Sequence, residues 1–149
     1  MLLYEDHRSH SAAINLHSVV YAVAFSPDGS ILATGAKDGT LFLRDVNGAA
    51  CSLRDRGLKN FPVHAIDFLP NGAGVIAGGE FGWSMWCPEG DGWQPFGPQS
   101  IRPVTSLAVV TDRTVVFGIG DRSNPAAVGA LEVWDISADR KSPCLLYTS

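Results

Sequence analysis

The chain repeats one short pattern at a nearly constant interval. Each copy opens with a valine, and these valines are Val20, Val63 and Val104, which stand 43 and 41 residues apart. The pentapeptide FSPDG at residues 25–29 returns as FLPNG at residues 68–72. A period of about 40–45 residues is typical of proteins in which each repeat forms one small structural unit that stacks on its neighbours. The repeat is therefore the first constraint on the fold.

Within each copy, apolar strands alternate with tight turns. The run at residues 19–25 is rich in β-branched and aromatic residues, which is typical of a mostly buried strand. The sequences PDG at 27–29 and PNG at 70–72 favour tight reversals, because proline presets φ and the Asp-Gly or Asn-Gly pair tolerates positive φ. A second turn at 37–39 leads into a third apolar strand at 40–43. Turns this short make consecutive strands antiparallel neighbours, so each copy is predicted to be a meander.

This order of strands and turns resembles WD40 repeats, in which a Ser-Pro-Asp-Gly turn, a second Asp-Gly turn and a final Trp-Asp pair recur in each blade. The final pair is Arg44-Asp45 in the first copy, Trp86-Cys87 in the second and Trp134-Asp135 in the third. The resemblance covers residues 20–136. It implies an all-β fold, a partial β-propeller of about three four-stranded antiparallel blades.

The predicted boundaries follow the repeat. We expect a tail or the last strand of a preceding blade at 1–16, blades at 17–56 and 57–100, and a third blade at 101–139 whose fourth strand is missing or incomplete. Residues 140–149 contain CLLYTS, which resembles translated adapter sequence. We expect a non-native or disordered tail there, the alternative being a native tail that is disordered or forms a strand.

Closed propellers use roughly 4–8 blades, more than the repeats in this sequence. We therefore expect further blades outside the sequence to complete the ring. The alternative is a ring completed by copies of the same chain.

WD40 blades are often held by a hydrogen-bonded set of His, Ser or Thr, Asp and Trp, and the resemblance assigns parts of that set here. Thr34 and Asp38 fit the first blade, Trp86 the second, and Trp134 with Asp135 the third. No blade has the whole set, because other residues occupy the tryptophan position of the first blade and the Ser/Thr position of the others.

Two tryptophans of the second copy are candidates for burial in the core. Trp83 and Trp86 are three residues apart, so a regular strand points them to opposite faces. We expect both to be buried between adjacent blades.

The resemblance implies an interaction platform whose partners bind the face that carries the turns between the second and third strands. The predicted partner-binding residues on that face are Lys37, Glu80, Phe81, Asp121 and Arg122, with Phe81 and Arg122 as the first choices. Asp121 and Arg122 belong to a longer loop between residues 118 and 131. Insertions in repeats often lie on the binding face, although tolerated drift in a surface loop is the favoured explanation of this insertion.

No pattern in the sequence predicts catalysis, a cofactor or a metal. The four histidines and three cysteines are not spaced as metal ligands. The segment GAGVIA at 72–77 matches a dinucleotide fingerprint in letters, but it lies between two predicted strands instead of before a helix. The net charge of −4, without a basic stripe, does not favour nucleic acid. No apolar run is long enough to span a bilayer, and the acidic pair after residue 4 does not fit a signal peptide.

We therefore predict a cytoplasmic scaffold for protein–protein interactions, without catalytic activity, cofactor or metal. Its partner is expected to be a protein or peptide, and neither nucleic acid nor a membrane. The alternative from another class is the regulatory or substrate-binding propeller part of a larger enzyme, such as a kinase or peptidase fusion. The prediction of a cytoplasmic location applies to the sequence as given. A longer N-terminus could carry a signal peptide.

Overall fold

The computed structural model consists of β-strands joined by turns throughout the part of the chain that it describes. That part comprises residues 2–5, 10–13, 18–46, 51–55, 61–80, 82–89, 92–100, 102–121, 124, 126, 128–136 and 144–148. Its strands form one two-stranded and three four-stranded sheets, and all their pairings are antiparallel. The predicted all-β class is confirmed.

A short hairpin precedes the repeats. It is formed by β1 (Leu2–Glu5) and β2 (His10–Ala13), which pair in the two-stranded sheet. The sequence predicted a tail or the last strand of a preceding blade in this region, and the hairpin's membership of such a blade stays a prediction.

The first four-stranded sheet is a simple meander. Its strands, in spatial order, are β3 (Val20–Phe25), β4 (Ile31–Ala36), β5 (Leu41–Asp45) and β6 (Cys51–Asp55). The turn between β3 and β4 forms because Asp28 Oδ1 accepts hydrogen bonds from the hydroxyl of Ser26 at 2.7 Å and the backbone N–H of Ser30 at 2.9 Å. Gly29 follows with a φ of 74°, which an L side chain rarely adopts.

The second sheet repeats this layout. Its strands, in sequence order, are β7 (Val63–Phe68), β8 (Val75–Gly79), β9 (Gly82–Glu89) and β10 (Gly92–Ser100), and each pairs with the next. In its first turn Asn71 Oδ1 accepts a 2.8 Å hydrogen bond from the backbone N–H of Ala73. Asn71 therefore stabilises its turn as Asp28 does in the first sheet, and the two predicted hairpin turns are present.

The third sheet has a fourth strand, in a segment for which the sequence left a strand-forming tail as the alternative. Its strands are β11 (Val104–Val109), β12 (Thr114–Ile119), β13 (Ala130–Asp135) and β14 (Cys144–Thr148), again in sequential order. β14 lies within the segment that we expected to be non-native or disordered, and it pairs antiparallel with β13. The reason is that β13 presents an edge of unpaired backbone groups, which an apolar segment such as CLLYT can cover.

Two apolar clusters hold the sheets face to face. β7 packs against β3 and β4 of the first sheet, and β11 packs against β7 and β8 of the second, so the first strands of the three sheets follow one another. The buried tryptophans are divided as predicted, because Trp86 belongs to the cluster between the first and second sheets and Trp83 to the cluster between the second and third. Trp83 stacks on Phe117, with ring centroids 4.9 Å apart.

The same glycine contact recurs at both interfaces between sheets. A Cβ atom at Gly35 in β4 would lie 2.8 Å from Cβ of Val63 in β7. A Cβ atom at Gly78 in β8 would lie 2.9 Å from Cβ of Val104 in β11. Val63 and Val104 thus each pack against a glycine on the second strand of the preceding sheet, which brings the sheets closer than any larger residue allows.

Candidate partner-binding surface

The first strands begin, and the second strands end, at one end of the three sheets, which we call the upper end. One backbone hydrogen bond closes it in each sheet. Its donor is the N–H of Lys37, Glu80 or Gly120, and its acceptor is the carbonyl of Val19, Pro62 or Pro103, at 2.8, 3.3 and 3.1 Å respectively. The upper end therefore has the same backbone layout three times, with different side chains on it.

The predicted partner-binding residues lie at this end wherever the structure describes them. Lys37, Glu80 and Asp121 are all exposed there, one on each sheet. Phe81 and Arg122 lie outside the described residues. The part that these five residues play in binding stays a prediction.

Asp38 shapes the turn beside Lys37. Its Oδ1 atom accepts a 3.0 Å hydrogen bond from the backbone N–H of Thr40, and Gly39 between them has a φ of 85°. The carboxylate thus fixes the conformation of the turn, and its place in the hydrogen-bonded set that the resemblance implies stays a prediction.

A β-bulge near the upper end presents further side chains. In each sheet the pairing of the first two strands slips by one residue directly after the opening valine. The bulged residues are Tyr21, His64 and Thr105. Because a bulge redirects the side chain of the extra residue, these three form a row from sheet to sheet.

Contacts within the row connect the first two sheets. The rings of Tyr21 and His64 stack at 5.8 Å with an interplanar angle of 15°. His64 Nε2 lies 3.8 Å from Oε1 of Glu80, and the hydroxyl of Thr105 donates a 3.2 Å hydrogen bond to the carbonyl of Gly118. Sequence reasoning missed this row, although one signal was available, since each residue directly follows a repeated valine.

Exposed apolar side chains accompany the charges at the upper end. Val19 is 59% exposed, Tyr21 46% and Phe61 44%. Aromatic side chains of this kind are enriched at the energetic centres of protein interfaces. With Lys37 and Glu80 nearby on the same end, the surface offers apolar area and both signs of charge.

At the opposite end of the sheets, which we call the lower end, side chains form hydrogen bonds within turns and between neighbouring turns. Hydrogen bonds donated by the hydroxyl and backbone N–H of Ser30, and by the hydroxyl of Ser26, lower the pKa of Asp28 from 3.8 to about 2. Between the second and third sheets, Oδ1 of Asp112 accepts a 2.8 Å hydrogen bond from the backbone N–H of Asn71. The polar side chains of this end serve the turns themselves.

The remaining predicted structural residues lie in or beside the sheet interfaces. Thr34 is buried on β4, opposite Phe42 of β5. Trp86 is buried in the first apolar cluster. Arg44, which stands in the first blade where Trp86 stands in the second, is also buried. Asp135 lies with its Oδ2 atom 3.6 Å from Nη2 of Arg113.

Trp134 has a different partner from the one that the resemblance implies. Its indole N–H donates a 2.9 Å hydrogen bond to Oε2 of Glu132. The other oxygen of that carboxylate, Oε1, accepts a 2.8 Å hydrogen bond from Nη1 of Arg102. Glu132 itself is buried, with 3% of its surface exposed. Arg102, Glu132 and Trp134 therefore form a hydrogen-bonded set in the third blade. The sequence had predicted only Trp134 as a member of such a set.

The described part of the chain does not offer a metal site. Among these residues no three His, Cys, Asp or Glu side chains lie together in a group that could hold a metal ion. The described residues also form no helix with the length and apolar character needed to cross a membrane.

The first repeat matches a known sequence family. Residues 8–45 match the WD40 model, described as WD domain, G-beta repeat. That segment contains the first hairpin turn and β3 to β5, and the other two sheets repeat its strand order. The chain belongs to the WD40-repeat family.

Two relatives of this WD40 chain extend the likeness. It is 42% identical over 71 residues to the small ribosomal subunit protein RACK1 of Neurospora crassa, a match that covers 46% of the chain and 19% of the relative. It is 31% identical over 131 residues to the small ribosomal subunit protein RACK1y of Oryza sativa subsp. japonica, covering 79% of the chain and 35% of the relative. The WD40 chain thus spans between about a fifth and a third of these relatives' lengths.

A solved structure shows the same fold. Sqt1 of Saccharomyces cerevisiae matches 89% of this WD40 chain with a TM-score of 0.74, at 18% identity and over 35% of its own length. At that identity the likeness concerns the fold alone, and it supports the arrangement of the sheets as propeller blades.

Proposed function

We propose that this WD40 chain is a scaffold that binds a protein or peptide at the upper end of its blades and has no catalytic activity of its own. The observation that carries the proposal is the repeated upper-end backbone with different side chains on each sheet. The same hydrogen bond positions Lys37, Glu80 and Gly120. A rigid frame that varies only in its side chains is suited to recognition.

The chemistry of the upper end supports a polypeptide partner. Tyr21 and Phe61 supply partly exposed aromatic area, which can anchor an apolar side chain. Lys37 and Glu80 supply opposite charges, which help to fix orientation and to exclude wrong partners. The net charge of −4 and the absence of a basic stripe from the sequence do not favour a nucleic acid partner.

The relatives add support of a general kind. Both relatives are named as small ribosomal subunit proteins, so they are components of a larger assembly. We propose by analogy that this chain also acts by contact with other macromolecules. A cytoplasmic location is part of the same proposal.

Binding of peptides selected from a random display library tests this function. The best peptide is titrated by calorimetry into the wild-type chain and into the variants Tyr21→Ala, Lys37→Glu and Glu80→Lys. Loss of an aromatic anchor at an interface centre costs 2 kcal/mol or more, so we expect Tyr21→Ala to weaken binding by about thirtyfold. The charge reversals should weaken binding and change the dependence of the affinity on salt concentration.

Val46→Lys is the matched control, because Val46 is an exposed residue that follows β5 at the lower end. Its affinity for the peptide should equal that of the wild type. Binding that survives all three upper-end changes but is lost in Val46→Lys contradicts the proposal.

A further inference from the structure

The turn between the first two strands of the second sheet contains an Asn-Gly pair. Asn71-Gly72 stands there, where the first sheet has Asp28-Gly29. Asparagine followed by glycine is especially prone to spontaneous deamidation, because glycine has no side chain to hinder attack by its backbone nitrogen. Asn71 is exposed, so its side-chain amide is open to water. The pair is therefore a candidate site of covalent modification.

Deamidation of this pair needs water and no enzyme. The backbone nitrogen of Gly72 loses its proton to solvent and forms a bond to Cγ of Asn71. The bond from Cγ to the side-chain nitrogen breaks, and that nitrogen takes a proton from solvent and leaves as ammonia. Water then opens the cyclic imide at either of its carbonyl carbons. The product is aspartate, or isoaspartate when the backbone continues through the former side chain.

Two hydrogen bonds of the folded turn oppose the first step. The N–H of Gly72, whose nitrogen would attack, donates to the carbonyl of Leu69 at 2.8 Å. Oδ1 of Asn71 accepts a 2.8 Å hydrogen bond from the backbone N–H of Ala73. Attack by the Gly72 nitrogen breaks the first bond and changes the side-chain conformation that the second bond holds. The turn must therefore open before it reacts, and local opening has a free-energy cost that the unfolded chain does not have.

We propose that Asn71 is a site of spontaneous deamidation that the native turn slows, and that the modification weakens the contact between the second and third sheets. The inference is independent of the proposed binding at the upper end, because this turn lies at the lower end.

The first sheet shows how an aspartate is held in such a turn. Asp28 accepts hydrogen bonds from the hydroxyls of Ser26 and Ser30, both at 2.7 Å, and from the backbone N–H of Ser30. The second sheet has Leu69 and Ala73 at the corresponding positions, and neither has a hydroxyl. An aspartate at position 71 therefore keeps the backbone donor and lacks both hydroxyl donors.

A carboxylate of the third sheet already lies against this turn. Oδ1 of Asp112 accepts a 2.8 Å hydrogen bond from the backbone N–H of Asn71. Deamidation places a second negative charge on the same residue, and like charges at close range repel each other. Isoaspartate adds the same charge and also inserts a side-chain carbon into the backbone. Both products thus act against the hydrogen bond that joins the second and third sheets.

Incubation in mildly alkaline buffer, with and without enough guanidinium chloride to unfold the chain, tests the modification. Fragmentation mass spectrometry measures the fraction deamidated at Asn71 over time. We expect the rate in the native chain to be lower by about tenfold or more, because the turn has to open first. An Asn71 that does not react in denaturant would overturn the assignment of the site, and equal rates in the two samples would overturn the protection by the turn.

Asn47-Gly48 is the internal reference for this experiment. It is the other Asn-Gly pair of the sequence and lies outside the described residues. In denaturant Asn47 and Asn71 should react at similar rates, since the dipeptide is the same. An Asn71 that is much slower than Asn47 in denaturant would show that its protection does not come from the folded turn.

Asn71→Asp tests the consequence of the modification directly. We expect its midpoint of thermal unfolding to fall by about 1–4 °C, because the new charge repels that of Asp112. Asp112→Asn is the matched variant, since it keeps an acceptor oxygen for the N–H of residue 71 and removes the charge. Introduced into the Asp112→Asn chain, Asn71→Asp should cause a clearly smaller fall. An Asn71→Asp chain as stable as the wild type, or an equal fall in both backgrounds, would contradict the proposed effect on the sheet contact.

Discussion

The indole N–H of Trp134 donates a 2.9 Å hydrogen bond to Oε2 of Glu132, two residues earlier on the same strand. Arg102, which precedes β11, donates to the other oxygen of that carboxylate at 2.8 Å. The buried glutamate therefore joins the third strand of its sheet to the segment before the first strand. This connection gives Arg102 a stabilising role that its partly exposed position does not suggest.

Replacing Arg102 by alanine should lower the free energy of unfolding by about 1–3 kcal/mol, because Oε1 of the buried Glu132 loses a charge-assisted hydrogen bond. Urea denaturation followed by tryptophan fluorescence measures the change. The fluorescence is informative because Trp134 lies 5.3 Å from Trp83, ring centroid to ring centroid.

Arg113→Ala is the control for Arg102. Arg113 lies 3.6 Å from Asp135, and its side chain is 69% exposed, so its loss should cost only about 0–1 kcal/mol. Equal effects of the two substitutions would show that Glu132 does not depend on Arg102.

Sequence reasoning could not find Glu132 for a physical reason. The resemblance directs attention to a hydroxyl on the second strand, where this chain has Gly118. The hydrogen bond is instead made within one strand between residues two apart, whose side chains lie on the same face. A glutamate beside a tryptophan has no distinctive spacing, so only the buried geometry identifies the pair.

Substituting Gly35 by alanine should destabilise the interface between the first two sheets by about 1–3 kcal/mol, through overpacking. The new methyl group would lie 2.8 Å from Cβ of Val63 and 2.9 Å from Cδ1 of Ile66. In a double-mutant cycle, Val63→Ala should recover part of this loss, because it removes Cγ1 of Val63, the atom nearest to the new methyl group. The unfolding free energies of the four proteins give the coupling directly.

Gly120→Ala is the matched control, because the nearest atom to a Cβ there is Thr105 Cγ2 at 3.9 Å. It should change stability by less than about 0.5 kcal/mol. If Gly35→Ala and Gly120→Ala have the same effect, the close approach of the sheets at Gly35 is not the cause.

Thr40→Val should leave stability unchanged or raise it by up to about 1 kcal/mol, because the buried hydroxyl of Thr40 finds no hydrogen-bond partner among the described residues. The backbone N–H of Thr40, which donates to Asp38, is retained. The midpoint of thermal unfolding measures the change. Ser26→Ala serves for comparison and should destabilise, since the Ser26 hydroxyl bonds both Asp28 and the N–H of Ile31. A clear loss of stability in Thr40→Val would contradict the assignment.

The features that the sequence predicted well are those with a local cause. Turns such as Pro27-Asp28-Gly29 depend on φ preferences and side-chain hydrogen bonds within four residues, and the opposite placement of Trp83 and Trp86 depends only on the strand period. The fourth strand at Cys144–Thr148 depends on a distant partner, β13. Likewise, the row of Tyr21, His64 and Thr105 requires a slip of register between two strands. Such relations are set by pairing between segments, which local preference does not determine.

The turn at Asp28 gives a prediction of pH dependence. Hydrogen bonds from Ser30 and Ser26 hold the pKa of Asp28 at about 2 in the folded chain, below the ordinary value of 3.8. Folding therefore favours the charged form, and the stabilisation is fully present above pH 3.8 and lost as the pH falls through about 2. The carboxyl carbon shift of Asp28, followed by NMR, should titrate with a midpoint near 2.

In Ser30→Ala the midpoint should rise towards 3.8, because the hydrogen bond from the Ser30 hydroxyl to Asp28 is removed. Ser106→Ala, a substitution at an exposed serine of the third sheet, should leave it unchanged. A wild-type midpoint near 3.8 would mean that the serine hydroxyls do not hold the carboxylate in solution.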